Sequence, residues 1–164
     1  MSTIIFVFVT AILIWGAWWW FIARNRPALP PLAIDDNDPL MIEAREKAKD
    51  SLPQMLELFK DAKGHTNVKV PFVTSSGETE HLWAELLSVE GPYVRVRYMT
   101  PPVTHTGELE RLQTHALGDI EDWVVTKDPK RYLGGYSMRV MFRRGRELWG
   151  DLPPELKEEE AKYA

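Results

Sequence analysis

The pattern of hydrophobic and polar residues divides the chain into two unlike parts. An apolar run covers residues 4–22 and reads IIFVFVTAILIWGAWWWFI; only Thr10 and Gly16 interrupt it, and no charged side chain precedes Arg24. At about 1.5 Å per residue, a helix of this length measures about 28 Å, close to the thickness of a bilayer's hydrocarbon core. We therefore expect a single transmembrane anchor over residues 1–23.

The flanks of this run indicate its fate and its orientation. Four tryptophans crowd its C-terminal end, as is typical of a membrane interface, whereas a cleaved signal peptide, the alternative, would need small residues there. Arg24 and Arg26 follow the run, and no Lys or Arg precedes it. The positive-inside rule then predicts an inner (plasma) membrane protein with its soluble domain in the cytoplasm; an envelope-facing domain is the alternative.

Three further segments follow the apolar run. Residues 24–38 contain three prolines and end in an acidic cluster, which predicts a Pro-rich, semi-rigid stalk. Residues 39–150 have the mixed pattern of a folded α+β domain. Residues 151–164 carry five acidic and two basic side chains, and we interpret them as an acidic tail, either a polar helix or a frayed end.

The domain opens with a helical pattern. Asp38 and Pro39 are typical of a helix start, since Asp can cap free amides and Pro is favoured at the first helical position. From Leu40 to Ala62, apolar residues recur every three or four positions, which predicts an amphipathic helix. Pro53 leaves open one kinked helix or two abutting helices, and Ser51 with Gln54 could form a capping box.

Strand patterns come next. Alternating residues predict strands over 68–72, 79–89 and 93–99, and the short turns between them indicate an antiparallel meander. Pro71 cannot donate to a ladder, so the first strand is expected at an edge or with a bulge. A fourth strand is expected near residues 108–115, and residues 116–123 suit a helical turn that ends in a packed Trp123. The segment YSMRVMFRR, which begins at Tyr136, fits a strand or a helix.

Four short motifs, taken in order, resemble a known family. They are VKVPF (68–72), EHLW (80–83), IEDW (120–123) and GGYSMRV (134–140). Together they resemble the YegJ-like bacterial family of unknown function (DUF2314) over about residues 39–145. The resemblance implies a small α+β domain in which GGYSMRV begins a helix packed on the sheet. It supplies no catalytic residues.

Candidate catalytic groups are sparse. The strongest candidates are Glu80, His81, His105 and His115. In the folded chain, Asp119 and Asp122 could join them in one site. General acid–base catalysis would require two of these side chains within hydrogen-bond reach of each other. None has metal-ligand spacing. His81 and Trp83 could equally be structural residues on a sheet face. We therefore expect no metal and no cofactor.

Charge is distributed unevenly along the chain. Between Lys127 and Arg146 there are seven basic residues and one acidic residue, in a chain whose net charge is −4. Such a segment could bind anionic lipid or an acidic protein. Alternatively, the acidic tail could fold back and neutralise it, or its arginines could simply be solvated. Nucleic acid is disfavoured by the overall acidity and by the lack of a known module. The candidate binding residues are Arg139, Arg143, Arg144 and Arg146.

Composition excludes other classes of protein. The chain has 164 residues, 45 % of them hydrophobic, and no cysteine, so a collagen-like chain, a disulfide scaffold and a polytopic membrane protein are excluded. No Gly-rich phosphate loop or nucleophile elbow is present. We therefore expect a membrane-anchored, non-catalytic binding module. The alternatives are a small hydrolase-like enzyme with a His/Glu/Asp site, and an immunity or accessory protein.

Overall fold

The structure is a computed structural model that describes residues 30, 32, 34–35, 37–61 and 65–163. The expected anchor and most of the expected stalk lie outside these residues. Within them, no helix is both long and apolar enough to cross a membrane. Leu32–Ala164 forms one compact unit, and the fold described here is the fold of that unit.

The described residues form one sheet and four helices. The helices are α1 (Pro39–Asp50), α2 (Leu52–Asp61), α3 (Tyr136–Trp149) and α4 (Pro154–Glu160). The strands are β1 (Thr66–Val73), β2 (Thr79–Glu90), β3 (Tyr93–Tyr98), β4 (Leu112–Ala116), β5 (Asp122–Asp128) and β6 (Arg131–Gly134). All neighbouring strands are antiparallel, in the order β4-β3-β2-β1-β5-β6. The expected α+β class with helices on an antiparallel sheet is confirmed.

The sheet order corrects the expected position of β1. Pro71 indicated an edge strand, yet β1 lies between β2 and β5. Its pairing with β5 ends at Lys69, whose carbonyl accepts the Glu121 N–H at 2.9 Å, while its pairing with β2 continues to Val73. Pro71 lies two residues beyond Lys69, so its backbone nitrogen points towards the same edge of β1 as the Lys69 carbonyl. β5 no longer pairs with β1 at that position. Its missing N–H therefore removes no bond from the ladder.

Three other boundaries differ from the sequence pattern. The fourth strand is shorter than expected and begins at Leu112. The turn before Trp123 is a 3₁₀ turn over Leu117–Asp119, and Trp123 itself belongs to β5. β6, with its sequence RYLG, had no predictive pattern, because four residues are too few to show an alternation.

The two faces of the sheet carry different hydrophobic clusters. On the first face, alternate residues of β1, β2 and β3 pack with Trp123 against Ala48, Met55 and Phe59 of α1 and α2. On the second face, Val124 of β5 packs with residues of α3 and of the C-terminal segment, namely Phe142, Leu152 and Tyr163. Successive side chains of a strand point to opposite faces, so Trp123 and Val124 contribute to different clusters.

Ser51 separates the first two helices. α1 ends at Asp50 and α2 begins at Leu52, so the chain forms two abutting helices. The Ser51 hydroxyl donates to the Lys47 carbonyl at 2.7 Å and accepts the indole N–H of Trp123 at 3.0 Å. These bonds replace the expected capping box with Gln54. The junction is thereby held directly to the centre of β5.

α3 begins directly after β6, so the ambiguous segment is a helix, as the family resemblance implied. Gly134 and Gly135 both have positive φ, and the Gly135 N–H donates to the Trp123 carbonyl at 2.7 Å. The free amides of Tyr136 and Ser137 donate to the buried carboxylate of Asp122, at 3.1 Å and 2.7 Å. Asp122 thus caps α3 from a neighbouring strand.

The C-terminal segment belongs to the same unit. Leu152 and Tyr163 are buried in the second cluster. The Arg146 guanidinium binds both carboxylate oxygens of Glu160. Glu160 of the acidic C-terminal segment therefore does fold back on the basic segment, at Arg146.

We predict that Gly134→Ala destabilises the fold much more than Gly77→Ala does. Both glycines have φ near +83°, so both variants lose about 1–2 kcal/mol for a left-handed backbone. A Cβ at Gly134 would also lie 2.1 Å from the Trp123 carbonyl oxygen, whereas nothing lies within 4 Å at Gly77. We expect a further loss of about 2 kcal/mol or more for Gly134→Ala, measured by urea denaturation. Equal losses in the two variants would contradict the close approach of Gly134 to Trp123.

Candidate functional site

Glu80 fastens a loop to the sheet. Its carboxylate accepts three hydrogen bonds, from the Thr104 hydroxyl and the Thr104 and Val103 amides, at 2.7–2.8 Å. These bonds, the Thr104 hydroxyl foremost, lower the pKa of Glu80. His105 lies in the same loop, where its Nδ1 accepts the Ser75 N–H at 3.2 Å. Both side chains therefore hold the 103–106 loop against the β1–β2 turn.

His81 forms a pair with a residue that the sequence did not single out. Its Nδ1 lies 2.6 Å from the carboxylate of Glu121, and both side chains are mostly buried. Glu121 precedes β5, which is separated from β2 by β1, so only the tertiary structure brings the two side chains together across β1. A carboxylate in this position could orient the imidazole as a base.

His115 lies on β4 and contacts Tyr98. Its Nε2 is 2.8 Å from the Tyr98 hydroxyl, and the two rings meet edge to face. Burial lowers the pKa of His115, against an opposing effect of Asp119, and burial raises the pKa of Tyr98 to about 12. Both groups are therefore held neutral at physiological pH, as suits a hydrogen bond between two uncharged side chains.

The remaining acidic candidates have capping roles. Asp119 accepts the Ala116 N–H at 3.1 Å and closes the 3₁₀ turn. Asp122 accepts the Ser137 hydroxyl at 2.6 Å in addition to the amides at the start of α3. Burial raises the pKa of Asp122, and the hydrogen bonds from Ser137 and its neighbours oppose that shift. Across the described ranges, no three His, Asp or Glu side chains are grouped so that they could hold a metal ion.

Two of the four candidate arginines bind carboxylates from outside α3. Arg144 makes a two-pronged contact with Asp38 at 2.8 Å for each bond, and it also binds Glu147 at 2.5 Å. The Arg144 hydrogen bond lowers the pKa of Asp38, and the two carboxylates together raise the pKa of Arg144. Arg146 is bound to Glu160. These two arginines therefore connect α3 to segments at opposite ends of the domain.

The other two arginines line a groove between α1 and α3. Arg143 is exposed, with Glu147 at 3.2 Å, and Arg139 lies over the Tyr136 ring at 6.0 Å. The groove has a volume of about 320 Å³, and Lys47 of α1 forms its third cation. Its remaining lining residues are Leu40, Glu43, Ala44, Tyr136 and Val140.

Lys47 is the member of this groove that sequence reasoning missed. It lies about 90 positions before Arg139, and only the packing of α1 on α3 brings the two together. Its exposed position on an amphipathic helix was the available signal, but that signal is shared with every other charged residue of α1. We call Lys47, Arg139 and Arg143 with their apolar floor the α1–α3 groove.

The comparisons with known proteins identify one family. A family model described as "Uncharacterized protein conserved in bacteria (DUF2314)" matches residues 38–147. The match confirms the family expected from the sequence motifs, while the YegJ-like label stays a prediction. No curated protein and no solved structure matches the chain.

We predict that His115 makes the fold less stable in mild acid. Because burial lowers its pKa in the folded chain, the folded state binds a proton at lower pH than the unfolded state does. Its stabilising contribution is complete above pH about 6.5 and is lost as the pH falls below that value. His115→Gln should therefore reduce the drop in the free energy of unfolding between pH 7.5 and pH 5.5, measured by urea denaturation.

The matched control for this measurement is His65→Gln, since the His65 side chain is exposed. We expect it to leave the pH dependence unchanged. The interpretation of His115 fails if His115→Gln and the unaltered chain lose stability equally over this range.

Proposed function

This chain belongs to the DUF2314 family of uncharacterized bacterial proteins, and we propose that it is a membrane-anchored, non-catalytic binding module. Residues 4–22 form its anchor, and the α1–α3 groove binds the anionic headgroups of the lipid surface to which the chain is tethered. The single observation that carries the proposal is the convergence of Lys47, Arg139 and Arg143 on one apolar-floored groove.

The charges of this groove are available to a phosphate. Lys47 contacts Glu43 at 2.6 Å and Arg143 contacts Glu147 at 3.2 Å, but all four side chains are exposed. Exposed pairs of this kind contribute about 0–1 kcal/mol, so a phosphate can replace one partner at little cost. Each basic side chain close to an anionic membrane contributes about 1 kcal/mol. Three such side chains would give a weak but useful attraction.

A short tether makes weak attraction sufficient. Eight residues, 24–31, separate the expected anchor from Leu32, and at about 3.3 Å each they reach at most about 26 Å. Leu32 and Ile34 lie beside Leu148 of α3. A tether of this length gives a millimolar effective concentration, so binding in the groove need not be strong.

The contacts of the candidate catalytic residues favour binding over hydrolysis. Glu80 and His105 hold a loop, and His115 is paired with a tyrosine. His81 lies 2.6 Å from the carboxylate of Glu121, and this His–carboxylate pair is the arrangement that a hydrolase alternative would use. An immunity or accessory role remains compatible with a binding module, and no particular residue favours it.

The proposal is tested on the full chain in vesicles. The chain has no cysteine, so Glu46→Cys on α1 gives one attachment point for a dye. With nitroxide-labelled lipid headgroups as quencher, we expect stronger quenching in phosphatidylglycerol than in phosphatidylcholine vesicles. We expect that difference to shrink when salt rises from about 0.1 M to about 0.5 M, because salt screens the charges.

Two charge-reversal variants provide the matched comparison. The groove variant replaces Lys47, Arg139 and Arg143 by Glu, and it should lose about 3 kcal/mol of attraction and the quenching difference. The control variant replaces Lys127, Lys130 and Arg131, exposed residues around the β5–β6 turn, by Glu. Arg144 stays intact in both, because it binds Asp38. Equal quenching in both kinds of vesicle, or equal loss in both variants, would refute the groove as the headgroup site.

The proposed topology places this domain in the cytoplasm, and a second measurement tests it. We expect Lys130→Cys, at the exposed β5–β6 turn, to react with a membrane-impermeant thiol reagent only after cell lysis. Lysed cells are the positive control. Labelling of intact cells would instead place the domain in the envelope, and the partners to test would be envelope components.

A further inference from the structure

A second cavity lies on the other face of the sheet from the α1–α2 pair. It has a volume of about 340 Å³, at the lower end of the range for small-molecule sites. Three aromatic side chains line it, Trp83 of β2, Tyr132 of β6 and Tyr163 of the last turn. The thioethers of Met99 and Met138 add soft, polarisable surface beside the rings.

The charge of this cavity is of one sign. Glu159 is the ionisable carboxyl group among the lining residues, and the lining residues of the described chain include no Lys, Arg or His. Aromatic faces carry partial negative charge, so rings and carboxylate together favour a cation. The lining thus differs from that of the α1–α3 groove, which contains Lys47, Arg139 and Arg143.

The chain itself shows how a cation is held beside this cavity. The Lys162 ammonium lies 5.4 Å from the centroid of the Tyr132 ring and 2.6 Å from the Glu159 carboxylate. Both partners are lining residues of the cavity. The pair raises the pKa of Lys162, chiefly through the Glu159 hydrogen bond. Lys162 is therefore an internal ammonium ligand for two groups that the cavity presents.

We propose that this cavity is a binding site for a small organic ammonium cation, held by Trp83, Tyr132 and Glu159 in competition with Lys162. The ligand class follows from the rings, the carboxylate and the lack of positive lining. An alkylated ammonium group fits best, because it is weakly hydrated and its methyl groups can contact the aromatic faces and the methionines. The site is independent of the α1–α3 groove.

The test uses choline as the probe and the full chain in maltoside micelles. The methyl groups of methionine, labelled with ¹³C, report binding directly, because Met99 and Met138 line the cavity while Met41 and Met55 are buried elsewhere. We expect saturable shifts of the Met99 and Met138 signals and none at Met41 and Met55. The uncharged isostere 3,3-dimethylbutanol should bind about fivefold more weakly or worse, because it lacks the cation–π attraction.

Two variants separate the named roles. Tyr132→Leu removes a ring and should weaken choline about fivefold. Lys162→Gln removes the internal competitor and should strengthen choline binding by about threefold or more. In both variants, unchanged Met41 and Met55 signals confirm that the fold is intact, so a change in affinity is not caused by unfolding.

A third probe distinguishes a free ammonium compound from a lipid headgroup. Phosphocholine carries negative charge towards Glu159, so we expect it to bind more weakly than choline. The proposal is overturned if choline causes no saturable shift, if the uncharged isostere binds equally, or if phosphocholine binds as tightly as choline. None of these results depends on lipid charge at the α1–α3 groove.

Discussion

The indole of Trp123 is the contact on which most of the domain depends. It lies almost fully buried in β5, donates its N–H to Ser51 and to the Ala48 carbonyl, and so holds the junction of α1 and α2. The backbone carbonyl of Trp123 accepts the Gly135 N–H, and this bond fixes the turn from β6 into α3. The same turn brings Gly134 so close to the Trp123 carbonyl and ring that a Cβ at position 134 would not fit. One residue thus connects three segments that are far apart in the chain.

Asp122 completes this arrangement on the opposite face. Adjacent residues of a strand point to opposite sides, so Trp123 binds the α1–α2 pair while Asp122 binds the amides that begin α3. A buried carboxylate is tolerated there because it accepts four hydrogen bonds, from Trp123, Tyr136 and Ser137. The position of α3 determines in turn which arginines are available. On the side of α3 towards Asp38, Arg144 is neutralised by that carboxylate, whereas the side towards Lys47 retains the exposed cations of the groove.

The α1–α3 groove and the cavity on the other face of the sheet differ in their chemistry. The α1–α3 groove collects cations beside the helix that follows the expected stalk, whereas the other cavity collects rings, thioethers and a carboxylate. Ion pairs formed by the C-terminal segment contribute to this difference in charge between the two cavities. Arg146 is neutralised by Glu160, while Lys162 binds Glu159 beside the ring of Tyr132. The acidic C-terminal segment therefore reduces the basic surface and also helps to form the aromatic cavity.

Local periodicity and turn residues were enough to predict the α+β class, the amphipathic opening segment and the meander from β1 to β3, and four short motifs were enough to identify the family. The pattern also predicted β1 at an edge or with a bulge, because Pro71 reports only its own missing donor and not where the neighbouring strand ends. The site residues were less predictable still. Arg144 and Arg139 look alike in sequence, yet one is bound by Asp38, 106 positions away, and the other lines a groove. Only tertiary structure decides such cases, because whether a charge is exposed or neutralised depends on residues that folding brings from elsewhere in the chain.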